Sequence, residues 1–172
     1  MMLGEDIRVF DWFIIHFTEN PGMAFGLSWG GEIGKYVLTG FRVVASVLIF
    51  IWLSRLVNDK VVQGAQLAVS LIFAGAVGNL IDSLFYGIVF DHSYHQVASF
   101  FPEGGGYGSF MLGNVVDMFY FPLIDTVLPE WFPIKGGERF VFFRPVFNLA
   151  DAAISVGAGL LIIYQKHVFK DH

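Results

Sequence analysis

The 172-residue chain has no cysteine, which excludes disulfides, thiolate catalysis and cysteine-ligated zinc and leaves the redox compartment unmarked. Charge is scarce too: Asp, Glu, Lys and Arg make up 15% of the residues, where a soluble domain of this size carries about a quarter. No cluster of lysines or arginines interrupts the net charge of −5, so the chain lacks the electrostatic footprint of a nucleic-acid binder. From Met1 to Asp11 there is no basic start followed by an apolar run, so these residues are not expected to form a secretory signal. Internal repeats are absent, and a single unit is expected.

What remains is apolar. Hydrophobic residues account for 55% of the chain and aromatic ones for 17%, the composition of an integral membrane protein. The expected fold is a mainly α bundle of transmembrane helices. Three stretches are long and apolar enough to cross a hydrocarbon core of roughly 30 Å at 1.5 Å per residue: 36–57, 61–85 and 145–165. Between and around them lie a β-rich segment (1–35), a long extramembrane loop region (87–144) and a short tail (166–172). Ile7 to Phe17, β-branched and aromatic but too short to span, reads as strand at a membrane interface, with His16 a hydrogen-bonded residue in it. The mixed aromatic and proline-containing stretch from Leu123 to Arg144 also has an interfacial character.

Ionisable groups beside or inside apolar runs draw attention because they are costly there. Asp151 sits in the first turn of the last span, three residues after Asn148. That spacing suits a capping box and the positive end of the helix dipole, so a helix start and a functional carboxylate are both open readings. Asp82 faces the opposite situation at the end of the second span, where the dipole offers it nothing; it needs a donor from elsewhere, which implies a polar network inside the bundle. Gly75, Gly78 and Asn79 share its face and allow a neighbouring helix to approach closely. Arg42 lies near the Lys35 end of the first span, where it is expected either to snorkel or, as the alternative, to pair with a carboxylate. Asn20, in Asn20-Pro21-Gly22, is either a turn residue or a donor and acceptor aimed at a peptide backbone. Asp117, among Val115, Val116, Met118 and Phe119, should be partly desolvated, with its pKa raised. Asp91, His92 and His95 form a weak metal-like pattern without the helical context such sites use, and Gly104 to Gly106 lack the lysine of a phosphate loop.

Positive charge orients the spans. The 55–63 hinge and the 166–172 tail hold four Lys or Arg in 16 residues, against five in the 97 residues of 1–35 and 83–144. The positive-inside rule therefore places hinge and tail in the cytoplasm, and Asn20, Asp82, Asp117 and Asp151 at the outer surface. The N-terminus is then outside with nothing to carry it there, and a preceding transmembrane helix, upstream of Met1, is expected in the natural protein.

Four stretches in order, Asn20-Pro-Gly-Met-Ala-Phe-Gly26, Gly78-Asn-Leu-Ile-Asp82, Val115-Val-Asp-Met-Phe119 and Phe147-Asn-Leu-Ala-Asp-Ala-Ala-Ile154, closely resemble the motifs of the bacterial lipoprotein signal peptidases, the type II signal peptidases. The resemblance implies an inner-membrane aspartic protease of four transmembrane helices with a small β-cradle and an extended loop on the periplasmic side, of which this chain contains three helices. It implies cleavage of prolipoproteins just before their diacylglyceryl-modified cysteine, with membrane lipid as a partner, no nucleic acid and no cofactor or metal. By the same resemblance Asp117 and Asp151 are the catalytic pair, while Asn20, Gly22, Asn79, Asp82, Asn148 and Ala150 shape the site or hold substrate.

The chain departs from the family pattern in three places. The family's first helix, with its Asp and Lys motif, is missing. Ser83 replaces the usual Arg after Gly-Asn-Leu-Ile-Asp, leaving Arg42 or Arg144 as donors for Asp82. The usual spacing from Asp82 to the first catalytic Asp lands on Asp91, whereas local context favours Asp117; an insertion of about 26 residues between them reconciles the two. The rival from another class is a proton-coupled transporter subunit using Asp82 and Asp151 as relay groups, which requires them near the bilayer midplane.

Overall fold

The computed structural model describes residues 1–22, 30–133 and 136–168. In chain order the elements are β1 (Asp6–Phe10), β2 (Phe13–Asn20), α1 (Gly31–Asn58), α2 (Gln63–Val89), β3 (Val115–Tyr120), β4 (Ile124–Val127), β5 (Arg139–Phe142), β6 (Val146–Phe147) and α3 (Leu149–Val168). Among the described residues three helices, α1, α2 and α3, are long and apolar enough to cross a membrane. Met23 to Gly26 of the first motif and residues 169–172 of the tail lie outside the described residues.

The helices exceed the apolar runs that announce them. At 28 residues α1 is about 42 Å long, and it begins five residues before Tyr36 because Glu32 and Lys35 are compatible with helix although not with hydrocarbon. α2 continues to Val89, past Asp82. α3 starts only at Leu149, since the residues after Pro145 pair as strand β6. The middle helix is the most enclosed: 28% of the most apolar window of α2 is buried, against 11% in α1 and 6% in α3.

Small residues set the antiparallel seam between α2 and α3. A Cβ at Gly75 would lie 2.3 Å from the Ala150 carbonyl oxygen, one at Gly157 2.6 Å from that of Ala68, and one at Gly64 2.2 Å from the Tyr164 ring. Ala65, Ala68 and Val69 are wholly buried along the same helix. In lipid, where apolar faces gain nothing by leaving their solvent, such close backbone approach is what favours helix association. The small-residue face expected around Gly75 and Gly78 is thus the face that receives α3.

An antiparallel sheet in the order β1-β2-β3-β6 sits at the end of the bundle where α1 and α3 begin and α2 ends. Ile7 to Phe17, read as one strand, is a hairpin turned at Asp11 and Trp12; neither turn residue is glycine or proline, so periodicity alone does not reveal the reversal. His16 contacts Asp6 and packs edge-on to Tyr120. The 87–144 region supplies strands β3, β4 and β5 as well as loop. Its first part folds back on the last turn of α2: the N–H groups of Phe101, Gly108, Met111 and Gly113 donate to the carbonyls of Val89, Gly87, Leu84 and Ser83. Lys35 Nζ and Thr39 Oγ1 of α1 reach across to the carbonyls of Leu112 and Met111, at 2.6 and 2.9 Å. Orphan acceptors at a helix end are satisfied in this way, and the loop fastens α1 to α2.

The seam yields a paired prediction. Gly157→Leu should lower the thermal unfolding midpoint in detergent, with a loss of about 1–3 kcal/mol from overpacking. Gly159→Leu, two residues on, where an added Cβ meets nothing within 4 Å, should leave the midpoint unchanged or raise it.

Candidate active site

The start of α3 shows how a helix cap becomes a site. Asn148 Oδ1 accepts the backbone N–H of Asp151 at 2.9 Å, and Asp151 Oδ2 accepts the backbone N–H of Asn148 at 3.3 Å, the reciprocal arrangement of a capping box. The cap consumes one oxygen of each side chain. Asp151 Oδ1 remains to accept Asn79 Nδ2 of α2 at 2.8 Å. Asn148 Nδ2 remains to donate twice, to Asn79 Oδ1 at 3.0 Å and to Asp117 Oδ1 of β3 at 2.9 Å.

Asp117 is placed by strand register. On β3 it pairs with Thr18 of β2, beside the pair Val115 and Asn20, so alternation puts Val115 and Asp117 on one face and both are buried. Asn20 Nδ2 donates to Asp117 Oδ2 at 3.0 Å, and Asn20 Oδ1 accepts the N–H of Gly22 at 2.8 Å. The turn reading of Asn20 holds, and its amide nitrogen is turned to Asp117. With 3% of its surface exposed, Asp117 has its pKa pushed above the ordinary carboxylate value, chiefly by desolvation; the Asn20 hydrogen bond opposes the shift, the negative charge of Asp151 adds to it, and the Asn148 hydrogen bond opposes it again.

The remaining site residues surround this core. Gly22 has φ +103, and a Cβ there would meet Arg42 Nη1 at 2.9 Å, so both its backbone and its neighbour require glycine. Ala150 lies against α2, its Cβ 3.2 Å from where a side chain at Gly78 would begin. Asp82 Oδ2 accepts the N–H of Val116 at 3.4 Å, and Tyr86 is its second hydrogen-bond partner. Arg42 does not snorkel away, and neither it nor Arg144 is Asp82's hydrogen-bond donor. Arg42 donates instead to Ser83 Oγ and, at 2.7 Å, to the Gly22 carbonyl, tying the Asn20 turn to α2 within electrostatic reach of Asp151, Asp117 and Asp82. Arg144 lines the rim of the cleft.

That cleft, of about 760 Å³, opens onto Asn20, Arg42, Asn79, Asp117, Phe147 and Asp151. A second one, of about 620 Å³, also reaches Asn79; its wall is mostly small and apolar, with Ala74, Gly78, Met118 and Ala153, and includes Asp82 and Asn148. Asp91 belongs to neither. Its carboxylate accepts the N–H of Ser99 at 2.6 Å, beside a smaller cavity of about 160 Å³ with Phe17 and Phe90. Of the two candidates for a partner to Asp151, Asp117 shares Asn148 with it as a hydrogen-bond partner and Asp91 does not. Among the described residues no three His, Asp or Glu side chains converge closely enough to hold a metal ion.

One supporting network has no sequence signal. Glu19 accepts Ser93 Oγ and, at 2.8 Å, Asn114 Nδ2; Lys35 Nζ donates to Asn114 Oδ1; and the Asn114 N–H donates to the Tyr107 hydroxyl, whose pKa burial pushes up to about 12. It locks the residues just before β3 and so fixes where Asp117 emerges. Its members are spread from position 19 to 114, and no local spacing joins them.

Comparison with known proteins gives the family. Residues 1–166 match the family model described as signal peptidase (SPase) II. A lipoprotein signal peptidase of Porphyromonas gingivalis is 52% identical over 164 residues, 95% of this chain and 71% of its own length. One of Amoebophilus asiaticus is 37% identical over 167 residues, 95% of this chain and 66% of its length. A bacterial membrane enzyme solved by the in meso method superposes over the whole chain and 79% of its own with a TM-score of 0.53 and 26% identity. The chain belongs to the signal peptidase II family, the lipoprotein signal peptidases.

Proposed function

We propose that the chain hydrolyses prolipoproteins as a membrane aspartic endopeptidase in which Asp117 and Asp151 are the catalytic pair. The observation that carries this is the single Asn148 side chain touching both groups, accepting from the backbone of Asp151 while donating to Asp117. Asn148 thus holds the Asp117 carboxylate beside the first turn of α3, which carries Asp151. Desolvated Asp117 holds the proton. Asp151, in the first turn of α3, takes a proton from water as that water attacks the scissile carbonyl. Asp117 polarises the carbonyl and passes its proton toward the departing amine. No cofactor takes part in these steps.

The scissile bond in this reading precedes a diacylglyceryl-modified cysteine. Asn20 and the Arg42-held turn at Gly22 fix the extended substrate backbone, and the apolar cleft beyond Asn79 continues the lipid-facing surface toward the lipid chains. Asp82 and Ala150 shape the site, Asp82 by holding the Val116 backbone and Ala150 by allowing α3 to approach α2. The sheet end lies at the periplasmic surface of a bacterial inner membrane, with the hinge and the tail cytoplasmic, and the chain forms a single integral membrane domain. A transporter relay is disfavoured because Asp82 and Asp151 lie at the sheet end of the bundle, not midway along it.

Asp117→Asn and Asp151→Asn should each reduce cleavage of a lipidated precursor by at least about 10³-fold, whereas Asp91→Asn should stay within about twofold; the reverse pattern for Asp117 and Asp91 would exchange their roles. Removing the Asn20 donor takes away a stabiliser of the Asp117 carboxylate, so Asn20→Ala should shift the alkaline limb of the kcat/KM profile to higher pH; a shift to lower pH contradicts the assignment of the proton to Asp117. Arg42→Gln should cost about tenfold or more in kcat/KM, and Arg42→Lys should recover only part, because an ammonium does not reproduce the fork that spans Ser83 and Gly22.

A further inference from the structure

The β4–β5 ribbon plays no part in the site, yet it is strongly two-faced. Register pairs Ile124 with Phe142, Asp125 with Val141, Thr126 with Phe140 and Val127 with Arg139. Paired residues share a face, so one face carries Ile124, Thr126, Phe140 and Phe142, and the other Asp125, Val127, Arg139 and Val141. On the second face Arg139 grips Asp125 through two nitrogens. The first holds no charge, and Phe142 and Ile124 are 51% and 50% exposed on it. At the far end of the ribbon Trp131 is 79% exposed. A soluble protein rarely leaves such a patch open without a partner.

We propose that this face lies in the interfacial layer of the bilayer and anchors the ribbon beside the cleft. Three observations select lipid as its occupant. The ribbon is rooted where the membrane begins: β5 ends at Phe142, and α3, a membrane-spanning candidate, starts at Leu149 with that residue 73% exposed. The opposite face carries the Asp125–Arg139 ion pair and so suits water, which leaves the charge-free face of Ile124, Phe140 and Phe142 as the one suited to lipid. Aromatic side chains at the free end, Trp131 and Phe132, are the type enriched at headgroup depth. The membrane-spanning helices expose side chains of the same kind, such as Val47 and Phe50 of α1. Because Arg144 and Pro145 join β5 to the rim of the cleft, the anchor sets the height of that rim relative to the membrane.

The absence of cysteine makes the test clean. The full chain is reconstituted in phosphatidylcholine vesicles with single cysteines replacing Phe140, Phe142, Val127 or Val141, each carrying the same environment-sensitive fluorophore, and quenching by acyl-chain-brominated phosphatidylcholine is compared with quenching by aqueous iodide. Labels at Phe140→Cys and Phe142→Cys should be quenched by brominated lipid at least threefold more than labels at Val127→Cys and Val141→Cys, with iodide showing the opposite order. Equal quenching of the two faces overturns the proposal. So does a charge-free face shielded from both quenchers, which would mean a protein contact. With two positions on each face, failure of one variant to fold leaves the comparison intact.

Discussion

One side-chain amide holds the functional end of the molecule in register. Asn148 accepts from the backbone of Asp151 and donates to Asn79 and Asp117, so α3, α2 and β3 meet at a single buried residue. A neutral amide suits this junction because it offers donor and acceptor together and adds no charge to a place that already holds two carboxylates. Each neighbour depends on it. Without the cap the first turn of α3 loses its N–H partners, and without the two donations Asp117 and Asn79 become partly unsatisfied in a buried setting, which is costly in proportion to the burial.

The rest of the fold serves that junction by distance. Asn79 reaches Asp151 only because Gly75 and Gly78 let the first turn of α3 lie against α2. Asp117 reaches Asn148 because β3 is held between β2 and β6 while the Glu19, Lys35 and Asn114 network fixes its entry. Arg42 closes the circle, drawing the Gly22 turn onto α2 at Ser83. A positive group facing three carboxylates also offsets the repulsion that would otherwise push them apart.

Much of this was legible where chemistry is local. The cap at Asn148 and Asp151 follows from a three-residue spacing, and the close-packing face of Gly75, Gly78 and Asn79 from helical periodicity. Three apolar runs found the helices but not their ends, because hydropathy measures compatibility with lipid, and Glu32 and Lys35 are poor in lipid yet acceptable in helix. The choice between Asp91 and Asp117 was not decidable by counting residues, since the inserted loop folds back on α2 and restores in space a proximity that sequence distance conceals. Arg42 was misjudged for a related reason: snorkelling considers one helix alone, and the groups that hold this side chain come from the Gly22 turn and from α2. Long-range networks such as Glu19 with Ser93 and Asn114 leave no trace in any window.

The central claim is that water attacks the substrate between Asp117 and Asp151. The most direct measurement is an experimental structure of the protein bound to a lipidated peptide analogue whose scissile carbonyl is replaced by a tetrahedral hydroxyl-bearing carbon. The account predicts that hydroxyl within hydrogen-bonding distance of both the Asp117 and the Asp151 carboxylates; a hydroxyl seated against Asp91 or Asp82, or touching only one of the pair, would contradict it.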